Sequence, residues 1–201
     1  MLRAIALSGW LGVTVLVGGS RALTPPDVLS PAHGEPSTER TASLHTAEGE
    51  IDIELYPKVS PLAVARFCDN ATRGVYDGTV IHNVNREYPT VYGGLYYPDG
   101  STPDAFPGNP PPSEAQTSPR HERGTVGIVT YDVDYQSHEF YIGLVPLTAF
   151  DGQCTVIGTV TAGLDVLDRI VESAPEGAIV PGTTLVIDSI TVQYGGYDEG
   201  D

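Results

Sequence analysis

The stretch that most limits what this chain can become runs from Tyr76 to Gly94, Tyr-Asp-Gly-Thr-Val-Ile-His-Asn-Val-Asn-Arg-Glu-Tyr-Pro-Thr-Val-Tyr-Gly-Gly. Tyr76-Asp77-Gly78 is a turn signal, and Val80, Ile81 and Val84 supply the β-branched residues of a buried strand. A short excursion follows, then a second strand that ends at Gly93-Gly94, where the backbone must pass close to something. Two neighbouring strands of this kind can line one groove, and the rest of the chain has to be arranged around them.

Residues 42–46 and 51–56 alternate apolar with polar side chains on either side of Ala47-Glu48-Gly49-Glu50, which predicts a hairpin. Ser60 offers an N-cap and Pro61 a first helical residue, and the apolar pattern of Leu62, Ala63, Ala65, Phe67 and Ala71 predicts a helix ending by Gly74. Asn70-Ala71-Thr72 has the form of a glycosylation acceptor but falls inside that helix, so the match is read as chance. Residues 95–123 lose all periodicity; prolines crowd them, and Tyr96, Tyr97 and Phe106 make the segment read as a surface excursion or a contact loop. Strand patterns return at residues 124–129, 139–142, 155–160 and 185–192, with a helix over 164–173 whose inner face is Leu164, Val166, Leu167, Ile170 and Val171. Many short strands with one helix near each end predict a mainly β fold, a closed antiparallel barrel capped by two helices.

Ahead of this domain, residues 4–19 carry no charge and lie between Arg3 and Arg21, the layout of a signal peptide or of a hydrophobic membrane-anchoring helix. As a helix they span about 24 Å, against ~30 Å for a hydrocarbon core. The expected organisation is a signal peptide or anchor over 1–22, a Pro/Ser/Glu-rich linker over 23–41, the folded domain over 42–194 and an acidic tail over 195–201. With a formal net charge of −16 and Lys58 as the single lysine, a nucleic-acid partner held through phosphates is disfavoured. Cys68 and Cys154 are too few for a disulfide scaffold or a zinc site and are expected as free thiols; no metal and no cofactor is expected.

The central stretch also resembles a family. Ile81-His82-Asn83-Val84, between Tyr76-Asp77-Gly78 and Gly93-Gly94, is similar to the motif Tyr-(Asp/Lys)-Gly-x-x-Phe-His-Arg-(Val/Ile) followed by Phe-Met-x-Gln-Gly-Gly of the cyclophilin-type peptidyl-prolyl isomerases. Residues 46–57 resemble that family's opening hairpin and residues 60–67 its first helix. His121-Glu122-Arg123-Gly124-Thr125-Val126-Gly127-Ile128 resembles its His-x-Arg-Gly-Thr-Val-Ser-Met segment, and residues 150–158 its Leu-Asp-Gly-x-His-x-Val-Phe-Gly segment. Together these cover about residues 42–192, and they imply an eight-stranded cyclophilin-like barrel closed by two helices, with a proline-binding groove on its outer face.

Position by position, the resemblance implies an altered groove. Asn83 stands where the family carries its catalytic arginine, and only His82 is kept beside it. Tyr88 can take the place of the groove phenylalanine only with one extra residue behind it, and Tyr92 or Val91 stands at the glutamine before the glycines. Val129-Thr130 replaces the Ala-Asn pair that holds the substrate backbone, while Glu139 and Tyr141 replace a glutamine and a phenylalanine. Ala149, Phe150 and Cys154 stand for the tryptophan, leucine and histidine of the far wall.

Rotation about a prolyl amide faces ~18–20 kcal/mol because resonance stiffens the C–N bond. In the family a guanidinium beside the prolyl nitrogen weakens that resonance; Asn83 is neutral and short, and losing one preorganised donor of this sort typically lowers a rate by about 10²- to 10³-fold. Glu139 adds a carboxylate that must be hydrated or paired. The expectation is therefore a cyclophilin-like protein with lost or very weak isomerase activity, acting as a membrane-tethered accessory subunit or protein-binding module. Its partners are then proteins, in the limit a larger membrane complex, with proline peptides bound weakly if at all. An active extracytoplasmic or lumenal isomerase assisting folding is the alternative. The compartment is expected to be extracytoplasmic or lumenal: secretory route, thylakoid lumen or mitochondrial intermembrane side. Positions 83, 139 and 154 should converge either on an open apolar pocket or on one filled by Tyr88, Tyr92 and Phe150.

Overall fold

The first hairpin shows how sequence alternation becomes a barrel wall. In the computed structural model β1 (Arg40–Thr46) and β2 (Gly49–Leu55) pair antiparallel with Ala42 opposite Ile53 and Leu44 opposite Ile51. These four side chains are buried, while Ser43 and Asp52, one residue out of phase, face outward and share a 2.6 Å hydrogen bond. The structure describes residues 39–103, 112–132, 135–173 and 185–195. The expected leader or anchor at 1–22, the linker up to residue 38, Phe106 and the tail from residue 196 lie outside them.

The chain continues through α1 (Pro61–Thr72), β3 (Ile81–Asn85), β4 (Thr90–Gly93), β5 (Thr125–Asp132), β6 (Tyr135–Gly143), β7 (Thr155–Ala162), α2 (Leu164–Ser173) and β8 (Ile187–Tyr194). The eight strands form one sheet in the order β3-β4-β6-β5-β7-β2-β1-β8, and every pairing is antiparallel. Its two outer strands meet at a bridge between Val80 and Val186, where Ile81 N–H donates to the Leu185 carbonyl and Ile187 N–H to that of Thr79. This short seam rolls the sheet up and leaves few open edges.

α1 closes the barrel with Phe67 at its centre. Phe67, Tyr76 and Phe140 pack ring against ring at centroid distances of 5.4 to 6.1 Å. Gly94 has φ +86°, and a Cβ there would come within 2.9 Å of the Tyr76 ring. What the backbone approaches at Gly93-Gly94 is thus this aromatic cluster. Asn70 is fully buried and donates from Nδ2 to the Tyr76 hydroxyl at 3.2 Å, consistent with reading the acceptor motif as chance. α2 covers the barrel with Val166, Leu167 and Ile170 buried, as its periodicity predicts.

One expectation is corrected. Ser60 flanks α1 but does not cap it: its hydroxyl donates 2.7 Å to the Val156 carbonyl. The first turn is capped instead by Glu114, whose carboxylate accepts from Leu62 N–H at 3.2 Å and Ala63 N–H at 2.8 Å. Glu114 belongs to the long loop. The described parts of residues 95–123 are tied to the barrel at several points, while residues 98–100 and 116–118 are exposed. Tyr96 accepts from Val80 N–H through its carbonyl and sets its ring edge-on against His82, Pro103 is buried, and Gln116 donates to the Val59 carbonyl. Both cysteines are free. Among the described residues, no helix is long and apolar enough to cross a membrane.

Candidate functional site

β3 and β4 are joined by a tight turn, and their register carries the site. Val84 pairs with Val91, both side chains buried in the core, so Asn83 and Asn85 face outward and Asn83 pairs with Tyr92. Of the two residues that could stand before the glycines, it is therefore Tyr92 that reaches the outer surface. A β-bulge between Ile81 and Asn83 turns His82 back into the protein, where it is 5% exposed.

Beside this hairpin lies an open pocket of 330 Å³ lined by Asn85, Tyr88, Thr90 and Tyr92 on one side and by Pro146, Leu147, Thr148, Ala149 and Phe150 on the other. The second wall is a 3-10 turn, Thr148–Phe150, that leads β6 into β7. Such a volume sits at the lower end of small-ligand sites, and its three aromatic rings with Pro146 and Leu147 suit an apolar occupant. None of the lining residues carries a charge.

The expected groove positions fall into three places. Tyr88, Tyr92 and Phe150 line the pocket without filling it, so it stays open. Asn83, Glu139 and Cys154 do not line it; neither alternative set out from the sequence describes the arrangement. Val129 and Thr130 lie on β5 next to a bulge and outside the lining, the Thr130 hydroxyl buried without a partner among the described residues.

Glu139 is resolved as paired. Its Oε1 lies 2.8 Å from His82 Nε2, and the two side chains are only 7% and 4% exposed. The carboxylate thus faces a buried imidazole rather than the pocket, which removes the hydration it would otherwise drag in.

Tyr141 is 1% exposed and sits behind the pocket, its ring 6.0 Å from Tyr92 and 5.4 Å from Phe150. Its hydroxyl lies 2.7 Å from His121 Nε2, and His121 Nδ1 lies 2.9 Å from Asp151 Oδ1. The Asp151 carboxylate is held below its ordinary range, first by the His121 backbone N–H and then by its side chain. Burial pushes the Tyr141 phenol far up and the Cys154 thiol up, with a hydrogen bond between the two groups.

Sequence reading overlooked Asn85, Thr90, Pro146, Leu147 and Thr148 as lining, and gave His121 and Asp151 no role. Both of the latter sit inside matched motifs, and the aromatic Phe150 beside Asp151-Gly152 was the available signal that the preceding turn forms a wall.

A barrel sealed at one end by α1, with an aromatic pocket on its outer face between β4 and the turn after β6, defines the cyclophilin class. The family described as cyclophilin type peptidyl-prolyl cis-trans isomerase/CLD matches residues 41–192, and the chain belongs to it. A peptidyl-prolyl cis-trans isomerase of Helicobacter pylori is 33% identical over 132 residues, covering 64% of this chain and 78% of that protein. One from Rhizopus delemar is 30% identical over 153 residues, 76% of this chain but 23% of that protein. Isomerase 9 of Schizosaccharomyces pombe is likewise covered over 25% of its length, so the chain spans about a quarter of these two longer relatives. A Cryptosporidium parvum cyclophilin-type isomerase, solved in the presence of the dipeptide Ala-Pro, superposes with a TM-score of 0.68 at 18% identity, over 76% of this chain and 98% of that one. That likeness concerns the fold.

Proposed function

We propose that this protein is a cyclophilin-like peptide-binding module whose prolyl isomerase activity is lost or very weak. The observation that carries this reading is the uncharged lining of an open aromatic pocket with Asn83 at its edge strand. A prolyl ring or similar apolar side chain has somewhere to go; what the site lacks is a cation to polarise the amide nitrogen once it is there. Among the described residues, no arginine lines the pocket. Arg86, the nearest in sequence, donates to the Val171 and Glu172 carbonyls, and Arg123 forms a forked pair with Asp168 at 2.8 and 2.7 Å. Asn83 is neutral, on a strand backbone that fixes its direction.

The remainder of the proposal concerns where such a module works. The uncharged run 4–19 between Arg3 and Arg21 supports export or tethering at a membrane, and with it an extracytoplasmic or lumenal position as an accessory subunit. An active isomerase is the second reading. It is favoured by the names of the relatives and by the pocket being open. Adding the protein to an Ala-Pro-containing peptide separates the two: binding without faster cis–trans exchange supports the module, and exchange at the rate of an ordinary cyclophilin overturns it. A fusion of residues 1–41 to a reporter, expected to fractionate with membranes or the exported pool, tests the location; recovery in the cytosol contradicts it.

A further inference from the structure

Peptide binding leaves one feature of the site unused, the polar chain buried behind it. Asp151 Oδ1 lies 2.9 Å from both the backbone nitrogen and Nδ1 of His121. A carboxylate held below its ordinary range only accepts, so Nδ1 carries a proton and donates it to Asp151. The Tyr141 hydroxyl lies 2.7 Å from Nε2 and is hydrogen-bonded to it, and burial pushes the neighbouring Cys154 thiol up. The Tyr141 hydroxyl is paired, which is what lets a phenol sit 1% exposed without a large penalty.

The hydroxyl also needs room, and Gly127 provides it. A Cβ at Gly127 would overlap Tyr141 Cζ and Oη. The resemblance puts a serine at position 127 and, in a separate segment, a phenylalanine at position 141, where this chain has Gly127 and Tyr141. The glycine leaves space for the phenol, and His121 pairs its hydroxyl. The consequence reaches the pocket because Tyr92 and Phe150, two of its three aromatic walls, rest on the Tyr141 ring, and Phe150 also stands edge-on to His121 at 5.8 Å.

We infer that Tyr141, held by His121 and Asp151, is the positioning residue of this pocket. It sets the spacing of Tyr92 and Phe150 and so the width of side chain that enters. A phenylalanine there would be located by packing alone; the tyrosine is tied along its long axis by a hydrogen bond. The inference rests on the peptide-binding reading, deepens it, and is open to a test that does not depend on it.

The test compares the full chain with Y141F, which removes one oxygen, and with D151N, which keeps the shape and removes the charge should Y141F not fold. Nitrogen NMR of the His121 ring reads the tautomer, aromatic carbon shifts of Tyr92 and Phe150 in the free protein read the walls, and titration with an Ala-Pro-containing peptide reads the pocket. The expected result is a ring protonated at Nδ1, shifted Tyr92 and Phe150 signals in the variants, and affinity lower on the order of tenfold, a loss that an equal fall in thermal midpoint elsewhere in the barrel does not produce. V192A, remote from the pocket, should lower the midpoint and leave affinity unchanged. Unmoved Tyr92 and Phe150 signals overturn the inference, as does an affinity loss that V192A reproduces or an unchanged affinity. If the wild-type chain binds no peptide, the peptide-binding reading fails by itself, and the ring signals still decide whether Tyr141 positions the walls.

Discussion

At the scale of single residues, the account turns on Asn83 and on Gly127. Arginine at position 83 would supply a cation, yet it places that group on β3 opposite Tyr92, at a position that does not line the pocket. N83R is therefore expected to raise prolyl exchange by less than the ~10²-fold that one well-placed donor gives, measured by exchange spectroscopy on a proline peptide. A rate within reach of an ordinary cyclophilin would show that position 83 alone was limiting. Gly127 is the tightest contact in the site. G127A should destabilise by about 1–3 kcal/mol through overpacking, and the double variant G127A/Y141F should recover part of that and no more, because Cζ and Cε1, which phenylalanine keeps, overlap as well as the hydroxyl oxygen. Additive losses in a denaturant series would contradict the proposed fit.

At the scale of elements, most of the architecture was legible. The alternation of residues 42–56, the periodicity of residues 164–173 and the proline after Ser60 each state a local preference that burial then enforces, and the strands and helices fall within a few residues of their expected ends. What was illegible depends on groups far apart in sequence. Nothing near Ser60 announces that Glu114 caps α1 from the loop 51 and more residues away. The pocket was legible where the resemblance named Tyr88, Tyr92, Ala149 and Phe150, and hidden at Pro146, Leu147 and Thr148, which carry no periodic signal. The Tyr141 relay was hidden for the same reason: three side chains from three segments meet only in the folded barrel. E114A is expected to lower stability by about 1 kcal/mol and to loosen hydrogen-exchange protection in the first turn of α1. Unaltered protection there would remove the strap from the account.

At the scale of the molecule, buried titrating groups set the pH range in which the barrel stands. Burial pushes the His138 imidazole below its ordinary 6.5, so the folded state binds its proton more weakly than the unfolded state does. Its penalty is absent well above pH 6.5 and grows as pH falls below that value toward the folded pKa. Asp151 acts in the opposite range: held below the ordinary 3.8 by His121, it contributes stability above that value, which is lost as pH falls through its lower folded value. Thermal midpoints should therefore decline below pH 6.5 in a stage that H138Q flattens, and again below about pH 4 in a stage that D151N flattens. A midpoint independent of pH across the first range would contradict the burial argument for His138. The central claim, an aromatic cyclophilin pocket without a cation to work on the amide, is most directly tested by two-dimensional exchange NMR on an Ala-Pro-containing peptide mixed with the full chain. The account predicts chemical-shift changes at Tyr88, Tyr92 and Phe150 as peptide is added, with the cis–trans exchange rate of the peptide left near its uncatalysed value. Exchange accelerated to the level of an ordinary cyclophilin, with or without those shifts, would contradict it.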